Sequence, residues 1–344
     1  MGEMEKETPM QGFRCRNRRQ EVSGTFEGTD AFSNSKPPSV GSYGVLLSIV
    51  FLIFSITAEA AEGKKLRVVT TILPEYCFVS GVVGDLGDVQ NLLPPNIGPH
   101  DYQLTPSDYR KIRDADLIVF NGAGLDNWIS KAFKGAENSR TLELGAALKT
   151  DLIPSAPDVE IEGDHKHAHE HQHGADNPHF WQDPLLAIRC VTNILATVQK
   201  IDPAHAADYA KNADAYIARL KQLDAEVAAK VAPVREKPFV TQHDAFPYLV
   251  RRYQLHPVGV LEVTPDVPPS PRYLADLAKV IREKQVRVIF ADPQSSKRLV
   301  NQVAADAKIR VANLGTLESG KISPDAYEKG MRENAETLAR ELKD

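Results

Sequence analysis

"DPAHAADYAKNADAYIARLKQLDAEVAAKVAP", residues 202–233, reads as one uninterrupted helix, and its place near the middle of the 344-residue chain decides how the rest is divided. Ala206, Tyr209, Ala213, Tyr216, Leu220, Leu223 and Val227 recur at spacings of three and four, which is one face of a helix. Pro203 suits the first turn, where its missing N–H costs nothing. At 1.5 Å per residue, the run from Pro203 to Val231 spans roughly 43 Å, enough to brace two lobes.

Working outward, each side of this helix repeats the same alternation. Upstream, β-rich runs cover 66–71, 88–94, 116–121 and 140–144, with helical patterns beginning near Pro74, Pro106 and Leu125 and a further helix over 184–200. Downstream, β-rich runs cover 237–242, 256–262, 287–291 and 309–314, separated by helices, with the last helix over 324–342. Strands alternating with helices predict parallel pairing through crossovers. The expected fold is therefore α/β, two four-stranded parallel-sheet lobes joined by one long bracing helix. The expected boundaries are an N-terminal extension and signal peptide over 1–60, an N-terminal lobe over 61–202, a linker helix over 203–233 and a C-terminal lobe over 234–344. Ser270-Pro271, at the end of a Pro-rich stretch, can start a helix.

Composition narrows the function. With 42% hydrophobic and 25% charged residues and a formal charge of -5, the chain has no basic stripe interleaved with aromatics, so nucleic acid is not an expected partner. The apolar run "YGVLLSIVFLIFSITA", 43–58, is short for a membrane span and is followed by Ala58-Glu59-Ala60, which fits an export signal cleaved after Ala60. Cys77 and Cys190, the cysteines left after cleavage, fall within apolar helical patterns and read as buried free thiols.

The histidines are unevenly spread. "DHKHAHEHQHGADNPHFWQDP", 164–184, carries six of the ten: His165, His167, His169, His171 and His173 alternate in a polar loop over 158–177, and His179 stands in a differently built segment. The alternating tract has a metal-binding composition and reads as an accessory, lower-affinity site, since closing a flexible loop around an ion costs conformational entropy. In open α/β sheets, ligands bind beyond the carboxyl ends of the strands. His100 follows the second strand, His179 the fourth, His243 the first strand of the second half, and Asp292 the third, so all four lie on one rim. Taken singly, each histidine is more often a surface or core residue. Together, three imidazoles and a carboxylate make a tetrahedral shell suited to Zn²⁺, and one that disfavours calcium or magnesium. His205 and His256 lack this placement and read as structural.

"PHDYQLTPSD", "NGAGLDNW", "NPHFWQDP", "QHDAFPYL" and "IFADPQ", in this order and with a long helix between the halves, resemble the zinc- and manganese-binding solute-receptor family of metal ABC transporters, on its zinc branch. The likeness runs over residues 64–342. It implies a periplasmic, monomeric, non-enzymatic receptor that binds Zn²⁺ in the cleft between its lobes and delivers it to an ABC permease for uptake. It makes His100, His179 and His243 the metal-binding histidines, with Asp292 at the place where many members supply a carboxylate and some use water. His243 stands where manganese receptors typically carry Glu, which favours zinc over Mn²⁺, while members with three histidines and an aspartate leave a manganese/zinc dual receptor as an alternative. Asn121 and Asp126 are placed either to orient a ligand imidazole through its other ring N–H or to start a helix. A periplasmic zinc chaperone or storage protein would share the same site. A zinc hydrolase is the remoter alternative, disfavoured because a fourth protein ligand closes the open position that catalysis needs and no His-Glu-x-x-His helix is present.

Overall fold

Eight short strands form where β-branched runs recur, and they assemble into two sheets of identical order. The computed structural model describes residues 64–343 except 101, 134–139, 156–175 and 263–267. The alternating histidines His165 to His173 and the expected cleavage site after Ala60 therefore lie outside the described residues. The first sheet contains β1 (Leu66–Thr70), β2 (Gly87–Asn91), β3 (Leu117–Phe120) and β4 (Thr141–Glu143), in the order β2-β1-β3-β4. The second contains β5 (Pro238–His243), β6 (His256–Glu262), β7 (Val288–Ala291) and β8 (Arg310–Asn313), in the order β6-β5-β7-β8. Every pairing is parallel, so the carboxyl ends of each sheet's strands share one rim.

The crossover helices start where the sequence supplies a cap. In α1 (Leu73–Val83) Glu75 reaches back to the backbone N–H groups of Thr71 and Ile72. In α2 (Pro106–Asp114) Thr105 and Asp108 exchange the two hydrogen bonds of a capping box. Asp183 caps α3 (Pro184–Ile201), and Ser270 caps α6 (Pro271–Glu283). The short α5 (Pro247–Tyr253), α7 (Arg298–Ala307) and α8 (Ala326–Glu341) complete the set. One expectation needs correction: the chain after Leu125 forms a 3₁₀ segment, Asn127–Phe133, instead of an α-helix. Gly122, Ala123 and Gly124 all take positive φ there, and Asp126 spends its carboxylate on the loop behind it.

The central helix α4 covers Ala206–Val231 after a 3₁₀ turn at Pro203–His205. Its buried face, Tyr209, Ala213, Tyr216, Leu220, Leu223, Val227 and Val231, follows the predicted spacing. It lies against α1, α3 and the C-terminal α8, so helices from both halves of the chain meet on it. Contact with α1 is close: a Cβ on Gly81 would sit 2.4 Å from the Tyr216 ring. Arg219 pairs with Glu328 and Glu226 with Arg332, stitching α4 to α8.

The second sheet shows why the halves share a core. Along β5 and β7, Phe239, Val288 and Phe290 face the main core that also holds β1, β3 and the helices, while Val240, Ile289 and Ala291 face a smaller cluster under α6 and α7. Alternation with period two assigns successive residues to the two faces. The described residues form one compact unit. Among the described residues no helix is long and apolar enough to cross a membrane.

Candidate metal centre

His100 stands in the loop after β2, His179 in the connection after β4, His243 is the last residue of β5, and Glu318 lies in the loop after β8. One atom from each lies within 4.8 Å of all the others. The Nε2 atoms of His243 and His179 are 3.3 Å apart, and His100 Nε2 is 3.5 Å from Glu318 Oε1. Zinc bonds of 2.0–2.2 Å require tetrahedral edges of about 3.3–3.6 Å, so these two edges already have the span of the ion's shell. The His179 Nε2 to Glu318 Oε1 edge, at 2.9 Å, is at hydrogen-bond length. Three borderline nitrogens and one carboxylate oxygen suit zinc and do not suit calcium or magnesium, which take oxygen shells.

The fourth member of the cluster is Glu318, where Asp292 was expected. β7 ends at Ala291, and Asp292 turns the chain: its Oδ1 accepts the Thr316 N–H at 3.3 Å, and its Oδ2 accepts the Gln294 N–H at 3.2 Å. The carboxylate therefore holds two loops together and stays outside the cluster. It still lines the same cavity of about 280 Å³, beside His100, His243 and Glu318.

The chain beside each loop-borne member of the cluster is tied down. Trp128 Nε1 donates to the Pro99 carbonyl at 2.9 Å, one residue before His100. Asn121 Nδ2 donates to the Pro178 carbonyl at 3.1 Å, one residue before His179. Trp181 Nε1 and Gln182 Nε2 both donate to the Thr316 carbonyl, two residues before Glu318. The Glu318 carbonyl itself accepts the Leu73 N–H at 3.1 Å. Asn121 and Asp126 thus act one step behind His179 and do not touch its ring.

The ring is oriented by Asn177. Its Oδ1 accepts the His179 N–H at 3.1 Å and lies 2.9 Å from Nδ1. An amide oxygen can only accept, so Nδ1 carries a proton and Nε2 is left to face the cluster. Asn177 Nδ2 donates to the Asp244 carbonyl at 2.8 Å, joining the His179 segment to the residue after His243. His205 is engaged with Asp202, at 2.7 Å, and His256 lies exposed at the start of β6, both away from the cluster.

Burial and neighbouring charge set the protonation states. Burial, then the adjacent His179, pushes the His243 pKa down to about 3, with Glu318 acting in the opposite direction. Burial alone would raise the Glu318 carboxyl, but hydrogen bonds and charge from His100 and His179 outweigh it and hold the group well below the usual carboxylate range. Burial and the nearby Glu318 raise Asp292. The cluster is thus built as an anionic carboxylate beside an imidazole held neutral. His100 is its exposed member and His179 and Glu318 its buried ones, so the centre opens to solvent on the His100 side.

Two participants escaped sequence reasoning, Glu318 and Asn177. The signal for Glu318 was present: "GTLESGK" follows the last strand and lies on the same rim as the others. Asn177 is recognised only through its bond to the ring.

Residues 68–341 match the family described as zinc-uptake complex component A, periplasmic, or ZnuA. The chain is 35% identical over 288 residues to the high-affinity zinc uptake system protein ZnuA of Bacillus subtilis, covering 82% of this chain and 89% of that protein. It is 33% identical over 304 residues to the zinc-binding protein AdcA of Streptococcus pyogenes serotype M6, where it spans 59% of the relative's length. The crystal structure of Zn(II)-bound AdcA from Streptococcus pneumoniae superposes with a TM-score of 0.65 at 28% identity, over 81% of this chain and 58% of that one. With most of its length matched by the family and by a relative of similar extent, the chain belongs to the ZnuA family of zinc-uptake components.

Proposed function

We propose that this protein is an exported receptor that captures Zn²⁺ at His100, His179, His243 and Glu318 and hands it to an ABC permease. The observation that carries the reading is the convergence of four ligand atoms within 4.8 Å, two of whose separations, 3.3 and 3.5 Å, match the edges of a zinc shell. Three neutral imidazoles and one carboxylate leave a bound Zn²⁺ with a net charge of about +1, which favours binding without making the ion impossible to release. His243 needs no proton removed at neutral pH, and Asn177 orients the His179 ring, so one ligand is already deprotonated and a second is already aimed before the ion arrives. The hydrogen between His179 and Glu318 is what the ion displaces.

Release follows from the same construction. Because α4 packs on helices from both halves, wide hinge opening is restricted, and release works through small shifts of the loops carrying His100 and Glu318. Scattering curves with and without zinc that differed by a large change in radius would contradict this. Export with cleavage after Ala60 supports action outside the cytoplasm, and the alternating tract His165 to His173 supplies an accessory zinc-collecting segment.

Metal analysis and competition titration test the reading, run on the wild type, on His100→Ala and on a form lacking residues 164–173. One tight zinc lost with His100→Ala, and weaker zinc lost with the deletion, is the expected result. Binding that depends only on residues 164–173 would overturn it.

A further inference from the structure

Thr71, Glu75 and Asp126 form a second polar cluster in the N-terminal half, apart from the metal ligands. All three are almost wholly buried, at 0%, 1% and 1% exposure. Thr71 Oγ1 stands 2.6 Å from Glu75 Oε2 and also 2.6 Å from Asp126 Oδ2. A hydroxyl has one proton and can donate to only one of them. The other contact at this length, between two oxygens with no proton, would be lone-pair repulsion inside a buried site. A second proton is therefore present, and a carboxyl group carries it.

The surrounding donors decide which. Asp126 is served as an anion: Oδ2 accepts the Asn121 N–H at 2.7 Å and Oδ1 the Gly122 N–H at 2.9 Å. Glu75 Oε2 accepts the more distant N–H groups of Thr71 and Ile72, at 3.0 and 3.2 Å, and its Oε1 is buried with no partner. An ionised carboxylate with one bare oxygen, next to a second carboxylate, is the costlier arrangement.

We propose that Glu75 is a neutral carboxylic acid in the folded protein and that it forms a proton-sharing relay, Glu75 to Thr71 to Asp126, which positions the chain in front of His179. In the relay the Glu75 O–H donates to Thr71 Oγ1, and the Thr71 O–H donates to Asp126 Oδ2. Asp126 in turn holds the N–H groups of Asn121 and Gly122, and Asn121 Nδ2 holds the Pro178 carbonyl. The segment needs such an anchor, because Gly122, Ala123 and Gly124 run through the left-handed region at φ 77°, 49° and 85°.

The titratable groups around the relay agree with this. Burial raises both carboxyls, Glu75 well above its ordinary range with the charge of Asp126 adding to it, against hydrogen bonds from Thr71 and Ile72. From α3, the buried Cys190 thiol senses Glu75. Cys77, Tyr216 and Glu328 interact with one another around the next turn of α1, from α1, α4 and α8.

The test has two readouts on the full chain. Infrared spectra of wild-type protein carrying ¹³C-carboxyl glutamate should show an isotope-shifted band of a protonated carboxylic acid at neutral pH, lost in Glu75→Gln. A band that does not shift with glutamate labelling, or no such band, overturns the assignment. Zinc titration then reads the positioning role. Thr71→Val should weaken binding about tenfold, the lower range for groups that orient metal ligands, and Thr71→Ser should restore it. Unchanged affinity in folded Thr71→Val overturns that role. The zinc readout rests on the receptor reading, whereas the infrared readout does not, so the two failures are distinguishable.

Discussion

The two sheets share one strand order, yet the two halves hold their metal-facing side chains by different means. His243 is the last residue of β5 and inherits its position from the sheet. His100 and His179 stand on loops, and each depends on side chains from elsewhere: Trp128 on the Pro99 carbonyl, Asn121 on the Pro178 carbonyl, Asn177 on the His179 ring. Glu318 falls between, with its carbonyl bonded to Leu73 of the other half and its Oε2 accepting the Thr316 hydroxyl. The strand-end side chain takes its place from the sheet, whereas the loop-borne histidines are held by polar side chains from elsewhere in the fold.

Removing a ligand from either half should have the largest effect. Zinc binding is worth roughly 10–16 kcal/mol at structural sites, so one ligand of four should account for about a hundredfold or more in affinity. His179→Ala and His243→Ala should both reach that loss in competition titration. If His243→Ala stays within about threefold of wild type, below 1 kcal/mol, the strand-end histidine does not ligate and the comparison fails. Next come the two acids of the C-terminal half. Glu318→Gln should weaken zinc by about 30-fold or more, because charge and ligand are lost together, and Asp292→Asn by less than about threefold. The reverse order would return the ligand role to Asp292.

The fold was legible because its inner strands, such as "LIVF" and "VIFA", are largely buried on both faces and read as short apolar runs. The rim rule located the histidines, since it depends only on which loops follow strands. It could not choose between two acids on that rim. Asp292 sits directly after its strand, but it is drawn into capping the turn, and Glu318 is five residues beyond β8 and returns to the cluster only through the fold of "GTLES". Asn177 was invisible for a related reason: an Asn before a Pro reads as a turn residue, and its bond to a ring two positions later is a matter of side-chain direction. The helix expected after Leu125 failed because Asp126 serves the loop behind it instead of a helix ahead.

Support residues should give intermediate effects, and only in the half that uses them. Asn177→Ala frees the His179 ring and should weaken zinc by about 10-fold, within the range seen when partners of metal ligands are removed. His243 has no side-chain counterpart of this kind: it ends β5, and its ring is met by the backbone of Glu262 on the neighbouring strand. An Asn177→Ala chain with wild-type affinity would show that loop ligands, too, need no dedicated support.

The smallest effect concerns acid. The His243 pKa is depressed to about 3 in the folded chain by burial and by His179, whereas an unfolded histidine titrates near about 6.5. Between those values the unfolded chain binds a proton that the folded chain refuses, so zinc-free stability falls as pH drops from about 6.5 towards about 3. Glu318, held below its ordinary range, adds to the same trend further down, once pH passes the unfolded glutamate value. His243→Gln cannot take up that proton, so its melting temperature should change less than wild type between pH 7 and pH 5, above the range where Glu318 contributes. Equal slopes would mean that His243 is not held neutral by its surroundings, and that the strand-borne ligand must lose a proton to bind zinc, as a loop-borne one can.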